Sequence, residues 1–130
     1  MKEPVWVLPA VVHAVHRQLL SEHGGLTGLR DEALLESALA RPAHRFVYED
    51  DLSLFDLAAS YGYGLIRNHP FNDGNKRIAL ATTAIFLEIN ACPLTAPEAE
   101  TALVFESLAA GRMTERELAH WLEQHAGYPD

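Results

Sequence analysis

A histidine, a carboxylate and two cations fall within nine consecutive residues of this chain, His69-Pro70-Phe71-Asn72-Asp73-Gly74-Asn75-Lys76-Arg77. An imidazole titrates close to neutrality, so His69 is suited to take a proton from a hydroxyl. Asp73 offers a carboxylate, and magnesium is commonly held by one or two protein carboxylates together with phosphate oxygens. The helix that must begin near Asn75 exposes unpaired N–H groups and a partial positive end, which attract anions. Gly74 lets the backbone approach a ligand closely, and Lys76 and Arg77 add two full charges. Cations at a helix N-terminus oppose the dipole, each at a cost of roughly 0.3–1 kcal/mol, so the pair is a local fault that an arriving phosphate removes. Phe71, alternating with polar neighbours, is placed to plug into the core and anchor the loop. Arg67, two residues before the histidine, either touches phosphate or ends a helix in solvent. A base, a ligand for nucleotide-bound Mg²⁺, an anion cradle (Gly74, Asn75, Lys76, Arg77) and an anchor describe phosphoryl or nucleotidyl transfer. A structural reading stands beside it: His69-Pro70 ends a helix, Asn72-Asp73-Gly74 turns, and Asp73 caps the next helix while pairing with Arg77.

The loop must be held by helices. Leu8, Val11, Val12, Val15 and Leu19 recur at helical spacing, with Pro9 suited to a first turn and Gly24-Gly25 to the end. Asp31 caps a second helix carrying Ala33, Leu34, Leu35, Ala38 and Leu39, which is expected to stop before Pro42. From Arg41 to Asp51 periodicity is lost, and Phe46-Val47-Tyr48 suggests a short extended piece or hairpin arm, a flap near residues 42–51. Ser53 caps a third helix through Leu54, Leu57, Ala58, Tyr61, Leu65 and Ile66. A fourth starts near Asn75; nine of its twelve residues from Ile78 to Ile89 are apolar, which predicts a central helix buried nearly all round. Thr95-Ala96-Pro97-Glu98 and Thr114-Glu115-Arg116-Glu117 read as capping boxes opening a fifth and a sixth helix. The expectation is an all-α, single-domain bundle of about six helices over residues 1–130.

Composition narrows the partners. The 18 acidic residues outnumber the 10 basic ones for a net charge of −8. That surface repels phosphate backbones and argues against general nucleic-acid binding. Cys92 is the single cysteine, expected as buried filler; with no disulfide possible, a reducing cytoplasm fits. No signal pattern opens the chain, and the apolar stretch from Ile78 to Leu94 is too short and interrupted to span a bilayer, so no membrane role is expected. His13 and His16 read as a solvent-facing stripe, His120 and His125 as surface positions, and His44 as part of the flap or a plain surface loop. Glu49-Asp50-Asp51 reads as a solvated acidic turn, and Trp6 and Trp121 as core or interface anchors.

The loop resembles the signature of the Fic/Doc family, His-x-Phe-x-Asp/Glu-Gly-Asn-Gly/Lys-Arg, matched here at every fixed position from His69 to Arg77. Gly24-Gly25-Leu26-Thr27-Gly28-Leu29-Arg30-Asp31 is similar to the glycine-rich turn of the Doc (death-on-curing) branch, as are Phe86 to Asn90 and Trp121-Leu122. The resemblance implies that His69 is the general base acting on a Ser, Thr or Tyr hydroxyl of a target protein. It implies Asp73 as the Mg²⁺ ligand, Gly74 to Arg77 as the cradle for the phosphates of ATP, and Phe71 as loop anchor. Lys76 stands where Doc proteins have lysine and AMP-transferring Fic proteins have glycine. That implies a toxin that moves the γ-phosphate of ATP onto a translation elongation factor. Gly74 instead follows the Fic form, so nucleotidyl transfer stays open, as does a catalytically idle antitoxin-binding module. No glutamate in the chain is followed by glycine or asparagine, so the family's built-in inhibitory helix is not expected. The resemblance then implies a separate Phd-like antitoxin whose disordered tail folds on the toxin.

Overall fold

In the computed structural model, which describes residues 1–127, six α-helices follow one another: α1 Pro9–His23, α2 Glu32–Tyr48, α3 Leu54–Asn68, α4 Asn75–Ile89, α5 Glu98–Ala109 and α6 Glu115–His125. Extended pairing among the described residues is confined to two isolated bridges, Leu29 with Phe71 and Leu94 with Ala126. Three helix starts follow from side-chain oxygens that satisfy otherwise unpaired N–H groups. Asp31 accepts from Leu34 N at 3.0 Å, Ser53 forms a reciprocal box with Asp56, and Thr114 does the same with Glu117.

The helix at the centre is α3 rather than α4. It packs against α2, α4, α5 and α6, and Phe55, Leu57, Ala58, Ala59, Ser60, Tyr61, Gly62, Gly64 and Leu65 are all buried along it. Its small residues let neighbours approach closely: a Cβ on Gly62 would lie 2.7 Å from Thr83 Oγ1 on α4 and 3.0 Å from Phe105 on α5. Apolar content alone undervalues such a helix, because alanine and glycine bury contact surface that belongs to their partners. By contrast α4 buries Ile78, Ala79, Thr82, Thr83, Phe86 and Leu87 on one side, while Ile89 is exposed.

Two boundaries correct the sequence reading. The second helix runs through Pro42 to Tyr48, so residues 42–48 form no flap. Pro42 lacks the N–H that would reach Ala38 and ordinarily costs about 3 kcal/mol in a helix interior. Here the helix is pinned from outside on both sides of the proline. Arg41 and Arg45 both reach Glu115 on α6, at 2.6 and 2.9 Å, and Phe46 meets the edge of Trp6 at 5.8 Å. Tertiary anchoring outweighs the local defect. The second correction is Thr95, which caps no helix. Its N–H and hydroxyl both donate to His125 O, at 2.7 and 2.9 Å, and α5 begins after Pro97 without a side-chain cap.

Trp6 stacks on Phe86 at 5.9 Å, and Tyr61 accepts a bond from Val7 N through its hydroxyl, so the segment before α1 is sewn onto the core. Cys92 is buried, and burial pushes its thiol above the ordinary range. Among the described residues no helix is long and apolar enough to cross a membrane.

Candidate active site

The loop between α3 and α4 begins with a strained residue. His69 follows the last turn of α3 at φ 48° and ψ 55°, left-handed for a non-glycine, with its N–H still bonded to Leu65 O at 3.1 Å. Pro70 explains part of this, because a following proline disfavours right-handed helix. The rest comes from the glycine-rich turn that precedes α2. Arg30 donates from Nε to His69 O at 2.7 Å and from a terminal nitrogen to Asn68 O at 2.8 Å. The main-chain N–H groups of Arg30 and Asp31 both bond Pro70 O, and Asn72 N bonds Gly28 O.

The other end of the loop is latched internally. Phe71 is buried, and the side chain of Asn75 closes a ring with its main chain: Phe71 N donates to Asn75 Oδ1 at 3.0 Å and Asn75 Nδ2 to Phe71 O at 2.9 Å. The Asn75 side chain is therefore spent on shaping the loop, and only its backbone faces a prospective phosphate. The Phe71 ring stacks on His16 with centroids 3.7 Å apart. His16 Nε2 lies 2.8 Å from Asp73 O, and since a carbonyl only accepts, Nε2 carries the hydrogen. His16 is thus 3% exposed, which corrects its reading as part of a solvent-facing stripe. The signal was present: Val12 and His16 are one helical repeat apart and share the buried face of α1.

Asp73 is exposed yet fixed. Leu26 N–H donates to its Oδ2 at 3.2 Å and Gly74 N–H to its Oδ1 at 2.9 Å. These two bonds, with a smaller contribution from Arg77, hold the carboxyl below the usual carboxylate range. Asp73 does not cap α4; Gly74, at φ 77°, occupies the N-cap without a side-chain bond. Gly25 accommodates this arrangement at φ 125°, where a Cβ would lie 2.8 Å from Asp73 Oδ2.

Over the start of α4 opens a cavity of about 640 Å³. Its lining is His69, Asp73, Gly74, Asn75, Lys76 and Arg77 from the loop and the start of α4, with Ile66, Leu80 and, from α5, Ala102, Phe105, Glu106 and Ala109. Groups able to hold a phosphate chain thus share one space with a mostly apolar remainder of the kind a flat base fills. Arg67 does not join them. It bonds Tyr63 Oη at 2.9 Å and lies over that ring, away from the cavity wall. Lys76 is also not left bare at the helix start: its ammonium lies 3.0 and 3.1 Å from the two oxygens of Glu106. The expected charge conflict is thus half-resolved within the protein, and Arg77 carries the remainder, making no ion pair among the described residues.

The donor set fits a divalent cation bound jointly with phosphate. Asp73 supplies one ionised carboxylate with lone pairs to spare, and among the described residues no group of three or more His, Cys, Asp or Glu side chains forms a cage. Sequence reasoning passed over four contributors: His16, Arg30, the Leu26 amide and Glu106. All four lie far from the loop in sequence.

This fold and loop define a class. The family model for the Fic/DOC family matches residues 6–87, and the chain belongs to that family. Its similarity runs to two Doc proteins in particular. It is 37% identical over 84 residues to the protein kinase doc of Escherichia phage P1, covering 65% of this chain and 67% of that one. It is 45% identical over 75 residues to the toxin Doc of Mycolicibacterium smegmatis, covering 56% of this chain and 57% of that one, so the chain spans less than two thirds of the second relative. The family match contains the loop, the glycine-rich turn and His16, and ends before α5 and Glu106.

Proposed function

We propose that this chain is a Doc-type toxin whose activity is ATP-dependent phosphorylation of a hydroxyl on a target protein. One observation carries the reading: His69, Asp73, Lys76 and Arg77 line a single cavity at the N-terminus of α4. His69 accepts the proton of the target Ser or Thr hydroxyl while that oxygen bonds to the γ-phosphorus. The bond from the γ-phosphorus to the β,γ-bridging oxygen breaks, and ADP leaves with that electron pair. The N–H groups at the start of α4 and the Arg77 guanidinium hold the phosphate oxygens, where charge neutralisation and alignment supply most of the catalysis. Asp73 would hold Mg²⁺, which contributes further neutralisation of the phosphates when bound.

Lys76 supports γ-phosphate transfer over AMP transfer, since a long cation takes space that a glycine would leave to phosphates. The name of the phage relative, a protein kinase, points the same way. Gly74 supports the second reading, nucleotidyl transfer, because it follows the family's AMP-transferring form. A translation elongation factor is the proposed target, and an antitoxin with a tail that folds on binding is the proposed partner. Incubation with target and ATP labelled at the α or γ phosphorus separates these readings. Transfer of γ label alone is the expected result; α label would replace the kinase by a nucleotidyltransferase, and transfer of neither would leave an antitoxin-binding module.

A further inference from the structure

We infer that Arg30 is a positioning residue for the transfer reaction: its guanidinium, bonded to the carbonyls of Asn68 and His69, holds His69 in the left-handed conformation that presents it to the cavity. The inference rests on His69 being the base. For an L-residue that conformation is strained, and it persists only where the surroundings over-determine it. Pro70 removes the right-handed alternative at His69 but leaves extended conformations open. The carbonyls of Asn68 and His69 close off those alternatives because both point at one donor fork, at 2.8 and 2.7 Å. A guanidinium offers donors on separate nitrogens at a fixed spacing, one to each carbonyl. Arg30 is exposed and makes no ion pair among the described residues. The turn that carries it is itself zipped to the loop, through Pro70 O and through Asn72 to Gly28 and Thr27.

The phosphate-holding end of the loop is fixed by different links, His16 to Asp73 O, Leu26 N to Asp73 Oδ2 and Asn75 to Phe71. Loss of Arg30 should therefore separate two quantities that a general structural defect would lower together. In Arg30→Met the turnover number is expected to fall by about 30- to 100-fold, the scale of a base displaced by about an ångström. Mg-ATP affinity by calorimetric titration should stay within about threefold, because the cradle keeps its own links. Arg30→Lys, which keeps one donor, should recover about tenfold of the lost turnover. A turnover number within about threefold of the parent in Arg30→Met, or a parallel loss of affinity and turnover, overturns the inference. Amide hydrogen exchange at His69 gives a second arm, expected to quicken by about tenfold or more in Arg30→Met. If the parent protein transfers neither label, the proposed function fails, and the exchange arm still decides: unchanged protection at His69 overturns the role of Arg30, and lost protection upholds the clamp.

Discussion

Two clusters of positive charge, one between α2 and α6 and one at the start of α4, are wired differently. Arg41 and Arg45 share Glu115; Arg41 also reaches Ser60 Oγ, and Arg45 also reaches Glu49. The hydrogen bond between Arg45 and Glu49 raises the Arg45 guanidinium further, with help from Glu115, and the same bond lowers Glu49. Every charge in that cluster is answered by the protein. At the start of α4, Lys76 has an exposed partner in Glu106, Arg77 makes no ion pair among the described residues, and the nearby carboxylate of Asp73 accepts one main-chain N–H on each oxygen. The first cluster staples α2 past its proline to α6; the second leaves Arg77 without an ion pair among the described residues, beside a cavity. Unanswered charge beside a cavity, rather than charge density, is what supports the proposed site.

The comparison can be broken at five positions. His69→Ala removes the base and should reduce transfer by about 10²–10⁴-fold with little change in melting temperature, measured with labelled ATP and target. Equal activity would remove His69 from the chemistry. Arg77→Ala and Asp73→Ala should each cost about 10²–10³-fold, with weaker Mg-ATP binding, because Arg77 would meet the phosphates directly and Asp73 would hold their Mg²⁺. If either instead lowered the melting temperature and spared transfer, that charge would be structural after all.

Glu115→Gln should do the reverse. It leaves two half-buried arginines underpaired and should lower stability by roughly 1–2 kcal/mol in denaturant unfolding, while Mg-ATP affinity is unchanged. The smallest effect is expected for Glu106→Gln. Both partners of the Lys76–Glu106 pair are about half exposed, at 52% and 57%, so the pair is weak. Such pairs are worth about 0.2–1 kcal/mol, so freeing Lys76 should tighten ATP binding by no more than about fivefold, less at high salt. Weaker binding would mean that Glu106 places Lys76 rather than competing for it.

Much of the fold was legible wherever a local rule had no tertiary rival. Asp31, Ser53 and Thr114 cap helices because a short oxygen side chain beside an orphaned N–H finds its partner within three residues. Gly24 ends α1 at φ 77° for a comparably local reason. Legibility failed where a distant group made a better offer. Thr95 gives its hydroxyl to His125 instead of to a helix start, and Pro42 is carried inside α2 by contacts to Trp6 and Glu115.

The amino-acid order alone determined the helical periods, most of the caps and the assembly of an imidazole, a carboxylate and two cations within nine residues, because those relations span a few bonds. Tertiary structure decided which of these groups face the same space. It buried His16 under Phe71, turned Arg67 away, gave Lys76 to Glu106, and set Arg30 against the carbonyls of Asn68 and His69. Those outcomes depend on how helices distant in sequence pack, and a side chain takes its partner from whatever the packing brings within about 3 Å.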